Sequence, residues 1–188
     1  MKSRLLAVAA AATMAGVASM VTSAQVPVPG AGKNLAASAE IKGKGITGTA
    51  QLTERAQGTG VQVEITIEVS GLTPGKHGVH LHAVGKCEPD FTAAGGHFDP
   101  GPNSNTDPDA NHPFHMGDIP NLMVDANGKG QMKVTTTRVT LSDGPLSVFD
   151  ADGTAIIVHG NEDQGITGAP KSGVSGGPRV ACGVLTKK

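Results

Sequence analysis

Residues 61–69 read VQVEITIEV and have the clearest strand pattern in the chain. Apolar and polar side chains alternate along it, so one face of the stretch is apolar and the other is polar. A period of two is the signature of a β-strand with one face against a core and the other in water. Residues 61–69 are therefore predicted to form a half-buried antiparallel strand.

Seven further stretches have the composition of short strands, and they lie on both sides of this one. They are residues 38–42, 47–53, 77–83, 122–125, 130–137, 155–159 and 180–186. Asn127-Gly128, between two of them, is a hairpin signal. No stretch predicts a helix. Because closure of eight strands into a barrel or sandwich limits the exposed edges, we predict an all-β fold.

Two long stretches do not fit the strand pattern. Residues 95–120 contain five prolines, and residues 160–178 contain six glycines. Long segments without regular structure are uncommon in a compact domain unless they have a function. We therefore predict two long functional loops.

The first 24 residues have the pattern of a secretory signal. Lys2 and Arg4 precede an uncharged, Ala-rich run, and Thr22-Ser23-Ala24 is a small-residue cleavage site. The alternative is a retained membrane anchor, although the run is short for a span. We expect an exported protein, periplasmic or secreted, with no stable membrane insertion after cleavage. The predicted segments are a signal peptide (1–24), a flexible Pro- and Gly-rich leader (25–34) and one folded domain (35–188).

Composition argues against a nucleic-acid partner. Without Lys2 and Arg4 the chain has 13 basic and 16 acidic residues, a formal charge of -3. It has no Trp or Tyr, only four Phe, and no basic run. A nucleic-acid-binding protein needs a basic patch and, for single strands, aromatic rings that stack on bases.

The chain has two cysteines, Cys87 and Cys182. An exported chain meets an oxidising compartment, where an even pair indicates a disulfide. A bond closing a loop of this length stabilises the fold by about 4–5 kcal/mol in the chain-entropy model. The alternative is two free buried thiols.

All seven histidines lie between His77 and His159. His80 and His82 are two residues apart on a predicted strand, so both imidazoles point to the same face. Val79 and Leu81 point to the opposite face, where an apolar core is expected. Two adjacent imidazoles on a β-surface form half of a site for a divalent transition metal.

Ligand-type side chains fall into two groups. The strand group is imidazole only, which suits copper cycling between two oxidation states. The loop group combines imidazoles with one carboxylate, which suits tetrahedral zinc. The residues concerned are His80, His82 and His159 on strands, and His97, His112, His115 and Asp118 in the stretch 95–120.

Five stretches together resemble the copper/zinc superoxide dismutases in their exported bacterial form. They occur in the family's order and cover nearly all of the chain after the leader: GKHGVHLHAVGKCEP, AGGHFDP, HMGDIPNL, AIIVHGNEDQG and RVACGVL. The resemblance implies an eight-stranded antiparallel Greek-key barrel, an immunoglobulin-like sandwich, with two long functional loops.

The resemblance also implies roles for individual residues. The implied copper ligands are His80, His82, His97 and His159, and the implied zinc ligands include His97 as the bridge, His115 and Asp118. Asp163 matches a carboxylate that links the two sites through hydrogen bonds. Arg179 matches the arginine that guides the anion, and His77 matches a structural histidine under the site.

One zinc ligand departs from the family pattern. The middle zinc histidine usually follows the bridging one by about eight residues, where this chain has Asn105. His112, three residues before His115, is the spare histidine, and we predict that it binds zinc. The alternative is a solvated loop histidine beside a weak or altered zinc site.

The implied function is enzymatic: superoxide is converted to oxygen and hydrogen peroxide, with His97 and Arg179 as the catalytic residues. The alternative is a non-enzymatic periplasmic copper-binding or delivery protein on the same barrel, and retention of His159 and Arg179 favours the enzyme. A cupin-type jelly roll is a third reading, but Glu88 lies too far from His82. The sequence leaves both a monomer and a homodimer open.

Overall fold

The computed structural model describes residues 34–101 and 105–188. These residues form ten β-strands and one 3₁₀ turn, Phe91–Ala94, with no α-helix and no helix that could cross a membrane. The predicted signal peptide and leader lie outside the described residues except for Asn34. The strands are β1 (Leu35–Gly43), β2 (Ile46–Gln57), β3 (Gly60–Ser70), β4 (Gly75–His77), β5 (Val79–His82), β6 (Leu122–Val124), β7 (Lys129–Thr136), β8 (Ala155–His159), β9 (Arg179–Val184) and β10 (Thr186–Lys187).

The strands form one antiparallel sheet that is nearly closed into a barrel. Its order is β4-β6-β7-β3-β2-β1-β9-β8-β5, and β10 pairs with β1. The two ends of this order meet because only Gly78 separates β4 from β5 in the chain. Counting β4 with β5 and β9 with β10 gives the eight predicted strands. Strand β3 pairs with β7 and not with β4, the next strand in the chain, so the connection from β3 to β4 passes over β7 and β6. This is a Greek-key connection. The fold prediction is confirmed.

Strand β3 has the period that its sequence predicts. Val63, Ile65 and Ile67 are fully buried, whereas Glu68 is exposed. The strand lies between β2 and β7, so its apolar face lines the middle of the core. Burial of these side chains contributes roughly 1.5–3 kcal/mol each relative to exposure.

Strand β5 differs from β3 because it is buried on both faces. Val79 and Leu81 are part of the hydrophobic core, as predicted. His80 and His82 are on the opposite face and are also fully buried. A buried polar group is costly unless another group satisfies it, so the cover over these two imidazoles determines what they do.

Candidate metal centre

The sheet register brings three of the predicted ligands together. In the β5–β8 pair, His80 is opposite Ile157 and His82 is opposite Ala155. His159 ends β8, where a register shift between Val158 and His159 interrupts the ladder with β9. The imidazoles of His80 and His159 lie 5.0 Å apart between ring centroids.

The loop of residues 95–120 pairs with the edge of β5 almost as an extra strand, and its His97 side chain covers the polar face of β5. The amide of Phe98 donates to the Leu81 carbonyl (2.9 Å), and the Leu81 amide donates to the Gly117 carbonyl (3.0 Å). Isolated bridges pair His82 with His97 and His80 with Asp118. Residue 117 must be Gly, because a Cβ there would lie 2.4 Å from the Leu81 carbonyl oxygen.

Four imidazoles meet under this cover, and we call them the strand cluster: His80, His82, His97 and His159. One ligand-type atom from each lies within 4.8 Å of the others, and all four side chains are buried. The closest rings are those of His80 and His97, with centroids 4.1 Å apart.

One ring nitrogen of each strand-borne histidine is occupied by an oxygen acceptor. His80 Nε2–H donates to Asp163 Oδ2 (2.9 Å). The Nδ1–H of His82 donates to the Gly95 carbonyl, and the Nδ1–H of His159 donates to the Gly177 carbonyl. Both distances are 3.0 Å. These bonds fix the proton on one nitrogen and leave the lone pair on the other.

The other nitrogens of the strand cluster are buried and have no hydrogen-bond partner among the described residues. They are His80 Nδ1, His82 Nε2, His97 Nε2 and His159 Nε2. Buried polar atoms are almost always satisfied, so four lone pairs aimed at one place require an explanation. Four neutral imidazole nitrogens are a donor set that suits copper, and the cluster therefore fits that metal.

A second group, which we call the loop cluster, surrounds one carboxylate: His97, His112, His115 and Asp118. Asp118 Oδ1 lies 2.7 Å from His97 Nδ1. Asp118 Oδ2 lies 2.9 Å from His115 Nδ1 and 3.3 Å from His112 Nδ1. Three imidazole nitrogens and one carboxylate oxygen are a tetrahedral zinc donor set, and His97 belongs to both clusters.

His80 is also close to the loop cluster. The ligand-type atoms of His80, His97, His112 and Asp118 lie within 4.8 Å of one another. Nevertheless, His80 Nε2 is held by Asp163, and its free Nδ1 belongs to the strand cluster. His115, whose Nδ1 contacts Asp118, is therefore the better third imidazole for the loop cluster.

Asp163 links the two clusters. Its Oδ2 accepts from His80 Nε2–H, and its Oδ1 accepts from His112 Nε2–H at 2.6 Å. Asn121 fixes the backbone of Asp163 in turn, since its Nδ2 donates to the Asp163 carbonyl and its Oδ1 accepts from the Asp163 amide. The carboxylate therefore orients one imidazole on each side.

Three imidazoles of the strand cluster have a lowered pKa and are therefore neutral. Burial, followed by the neighbouring His80, lowers the pKa of His97 and of His159 to about 3. Burial also lowers the pKa of His82 well below its usual value. A histidine must be neutral to bind a metal, so each of these side chains can bind one metal without losing a proton at physiological pH.

The loop cluster has the opposite electrostatic character. Burial lowers the pKa of His112, but its hydrogen bonds to Asp118 and Asp163 outweigh burial and raise that pKa to about 9. Burial also raises the pKa of each carboxyl, yet hydrogen bonds from histidines outweigh it and hold the pKa of Asp118 and of Asp163 below the usual range.

Arg179, the first residue of β9, stands opposite His159 in the β8–β9 register. Its two terminal nitrogens donate to the carbonyls of Phe91 (2.7 Å) and Gly95 (2.6 Å). The Gly95 carbonyl also accepts from His82. Burial lowers the pKa of Arg179, but a guanidinium stays charged at physiological pH.

The predicted disulfide between Cys87 and Cys182 is present. It ties β9, which carries Arg179, to the segment that supplies the arginine's carbonyl partners. This bond and the two guanidinium contacts fix the position of the positive charge.

His77 contacts the backbone of His159 at the end of β8. Its Nδ1 lies 2.7 Å from the His159 carbonyl oxygen, and its Nε2 lies 2.8 Å from the Thr73 carbonyl oxygen. The side chain is buried and bridges the end of β8 to the segment before β4.

Sequence reasoning missed the groups that orient the ligands. Backbone carbonyls of Gly95 and Gly177 leave no signal in a pattern of side chains. Asn121 and Asp109 are ordinary loop residues in the sequence, and only the structure shows that each one reaches another segment.

Comparison with known proteins identifies the family. Residues 46–185 match the family model described as copper/zinc superoxide dismutase. A superoxide dismutase [Cu-Zn] of Deinococcus radiodurans is 40% identical over 151 residues, covering 74% of this chain and 77% of the relative. A superoxide dismutase [Cu-Zn] of Caulobacter vibrioides is 39% identical over 129 residues, covering 65% and 71%. The crystal structure of the clock protein EA4 superposes with a TM-score of 0.65 at 27% identity, covering 81% of this chain and 94% of that one.

Proposed function

The chain belongs to the copper/zinc superoxide dismutase family, and we propose which of its side chains hold the two metals and carry the reaction. Its activity is the conversion of superoxide to oxygen and hydrogen peroxide, with copper and zinc as cofactors. The observation that carries the assignment is the set of four buried imidazole nitrogens that converge without a hydrogen-bond partner among the described residues.

Copper would be held by the strand cluster, through His80 Nδ1 and the Nε2 atoms of His82, His97 and His159. Zinc would be held by the loop cluster, through the Nδ1 atoms of His97, His112 and His115 and through Asp118. The contacts of Asp118 with all three imidazoles support the zinc assignment of His112. His97 would then bridge the metals, with one ring nitrogen for each.

Copper held by imidazoles supplies one-electron chemistry, since it is stable in two oxidation states. His97 contributes a proton site at Nε2: whenever that nitrogen is not bonded to metal, it can hold a proton beside the substrate. The contacts of His97 Nδ1 in the loop cluster would keep the ring in place while Nε2 gains or loses that proton. Asp163 and the Gly95 and Gly177 carbonyls keep the other imidazoles in the tautomer that binds metal.

Arg179 would attract and orient the substrate. Superoxide is a small anion, and the chain without Lys2 and Arg4 also has a negative formal charge, -3. A fixed guanidinium in a partly buried position focuses positive potential locally, so it overcomes the weak overall repulsion. The carbonyls of Phe91 and Gly95 hold two of its nitrogens without neutralising its charge.

Export to the periplasm or secretion is part of the proposal, with cleavage after residue 24 and one folded domain over residues 35–188. The support is the signal-like sequence of residues 1–24 and the Cys87–Cys182 disulfide, which an oxidising compartment favours. Amino-terminal sequencing of the mature protein tests the cleavage, and sedimentation velocity distinguishes a monomer from a homodimer.

Metal content measured together with dismutation activity tests the function. We expect the mature chain to bind about one copper and one zinc, as the two donor sets require, and to dismutate superoxide. Zinc without copper, even after copper loading, would contradict the copper assignment. Copper without activity would favour the non-enzymatic alternative, which no contact among the described residues favours now.

A further inference from the structure

Asp109 is a buried carboxylate in the loop of residues 95–120, and the proposed reaction does not use it. Its Oδ1 accepts from the Ser175 amide (3.1 Å) and the Ser175 hydroxyl (2.9 Å). Its Oδ2 accepts from the Gly173 amide (2.9 Å). All three donors belong to the other long loop, residues 160–178. Both oxygens of a carboxylate three residues from His112 are therefore committed to the opposite loop.

The segment that Asp109 holds continues directly to a histidine of the strand cluster. Two residues after Ser175, the Gly177 carbonyl accepts from His159 Nδ1–H (3.0 Å). Gly176 packs so closely that a Cβ there would lie 2.7 Å from the Cβ of His159. Residues 173–177 are thus the backing of the His159 imidazole, and Asp109 is the charged group that anchors their start.

We propose that Asp109 is a positioning residue that fixes residues 173–177 against His159 and so sets the orientation of this imidazole. The role rests on the proposed function only in taking His159 as a copper ligand. Asp163 reaches from the loop 160–178 to His112, whereas Asp109 reaches from the loop 95–120 to Ser175. Two carboxylates therefore tie the loops in opposite directions.

The bonds of Asp109 are of a kind that an amide cannot replace. An ionised carboxylate accepts at both oxygens, and such charge-assisted bonds are stronger than neutral ones. In Asp109→Asn, one position is an NH₂ group that faces the N–H of Gly173 or the donors of Ser175. A donor against a donor pushes residues 173–177 away, and the Gly177 carbonyl moves with them.

Asp107 provides a matched control in the same loop. Its Oδ1 alone accepts from the amides of Asp109 (3.0 Å) and Ala110 (3.1 Å). The amide oxygen in Asp107→Asn can accept both bonds, so the substitution removes the same charge and keeps the local turn. A difference between the two variants therefore reports the contact with the opposite loop.

The test measures exchange of the His159 Nδ1 proton by ¹H–¹⁵N NMR, in the metal-free protein and in the diamagnetic Cu(I), Zn form. We expect faster exchange in Asp109→Asn and wild-type exchange in Asp107→Asn. The Cu(II) EPR hyperfine splitting should change only in Asp109→Asn, with copper affinity lowered about tenfold, the lower end for loss of an outer partner of a ligating histidine. Ser175→Ala should change both signals in the same direction by less.

Wild-type exchange and EPR in a folded Asp109→Asn variant would overturn the proposal. If that variant does not fold, unchanged exchange in Ser175→Ala would overturn it instead. The metal-free measurement separates this inference from the proposed function. If the wild-type protein binds no copper, the copper assignment is refuted. If exchange in the metal-free Asp109→Asn variant is nevertheless faster than in the wild type, the role of Asp109 is supported.

Discussion

The strand cluster and the loop cluster share His97 but are held in place by different structures. His80, His82 and His159 project from paired strands whose register places them together. His112, His115 and Asp118 lie on a loop, and side chains from other segments hold two of them. Asp163 accepts from the His112 ring, and Thr167 Oγ1 donates to the His112 carbonyl (2.6 Å). Arg138 donates to the His115 carbonyl. The strand cluster therefore depends on the barrel, and the loop cluster depends on a network of polar bonds.

The two clusters also differ in charge. Burial keeps three imidazoles of the strand cluster neutral: it lowers the pKa of His97 and His159 to about 3 and that of His82 well below its usual value. The loop cluster contains a carboxylate, and the pKa of His112 is raised to about 9. His82, His97 and His159 can thus each bind one metal without losing a proton, while His112 must exchange a proton for a metal.

The largest effect should follow removal of a ligand from the strand cluster. His82→Ala removes one of four imidazole nitrogens that nothing nearby can replace. We expect activity to fall by more than about 100-fold, beyond the usual cost of losing an outer partner, while zinc content stays near one per chain. Metal analysis and an activity assay measure both quantities. Loss of zinc together with copper would show that the clusters are not separable in this way.

The next effect should come from charge at the strand cluster without loss of a ligand. Arg179 matches no ligand, so Arg179→Glu should keep copper while activity falls by about 10- to 100-fold through lost attraction of the anion. Wild-type activity should decline with rising salt, because exposed charges are screened beyond about 8 Å at physiological ionic strength. The variant should lose or reverse that dependence.

Arg55→Glu is the control for this change. Arg55 is exposed on β2, and its reversal changes the net charge by the same amount. We expect its rate and its salt dependence to stay near those of the wild type. Equal rates and slopes for Arg179→Glu and the wild type would mean that Arg179 does not steer the substrate.

A smaller effect on activity is expected from the loop cluster. His112→Ala removes one of the proposed zinc ligands and the bond from Asp163 to that side, while Asp163 still holds His80. Zinc affinity should fall by at least about 100-fold, and copper-dependent activity should fall by less than in His82→Ala. Zinc titration with a competing chelator measures the affinity. Unchanged zinc affinity would show that the third imidazole is another residue.

The strand cluster was also the more predictable of the two from sequence. The period of residues 61–69 gave the half-buried strand, and the spacing of His80 and His82 placed them on one face. Both follow from the alternation of side chains along a strand, which is local. The contact between His97 and the end of β5 is not local, and the place of His97 among the copper ligands was predicted only through resemblance to a family.

The loop cluster was less predictable because its order comes from contacts between distant segments. His112 stands where the spacing of the family does not put a ligand, and the structure gives it a buried position between Asp118 and Asp163. Asp109 looked like one polar residue among several, yet its partner Ser175 is 66 positions away. No sequence period encodes such a pair.

The smallest effect distinguishes the clusters by their protons. In the metal-free folded protein the pKa of His112 is about 9, above its ordinary value of 6.5. A raised pKa means that protonated His112 stabilises the metal-free fold fully below pH 6.5, and this contribution is lost as pH rises through 9.

Zinc binds the neutral imidazole, so zinc uptake between these pH values should release about one proton from His112, and zinc affinity should rise about tenfold per pH unit up to pH 9. In the zinc-free protein, copper uptake should release no proton from His82, His97 or His159 at pH 7.5, because burial lowers the pKa of each and leaves a free lone pair at Nε2. Calorimetry in two buffers of different ionisation enthalpy counts the protons at each step. Equal counts for the two metals would mean that the clusters have the same charge before binding, and the electrostatic contrast between strand and loop would be wrong.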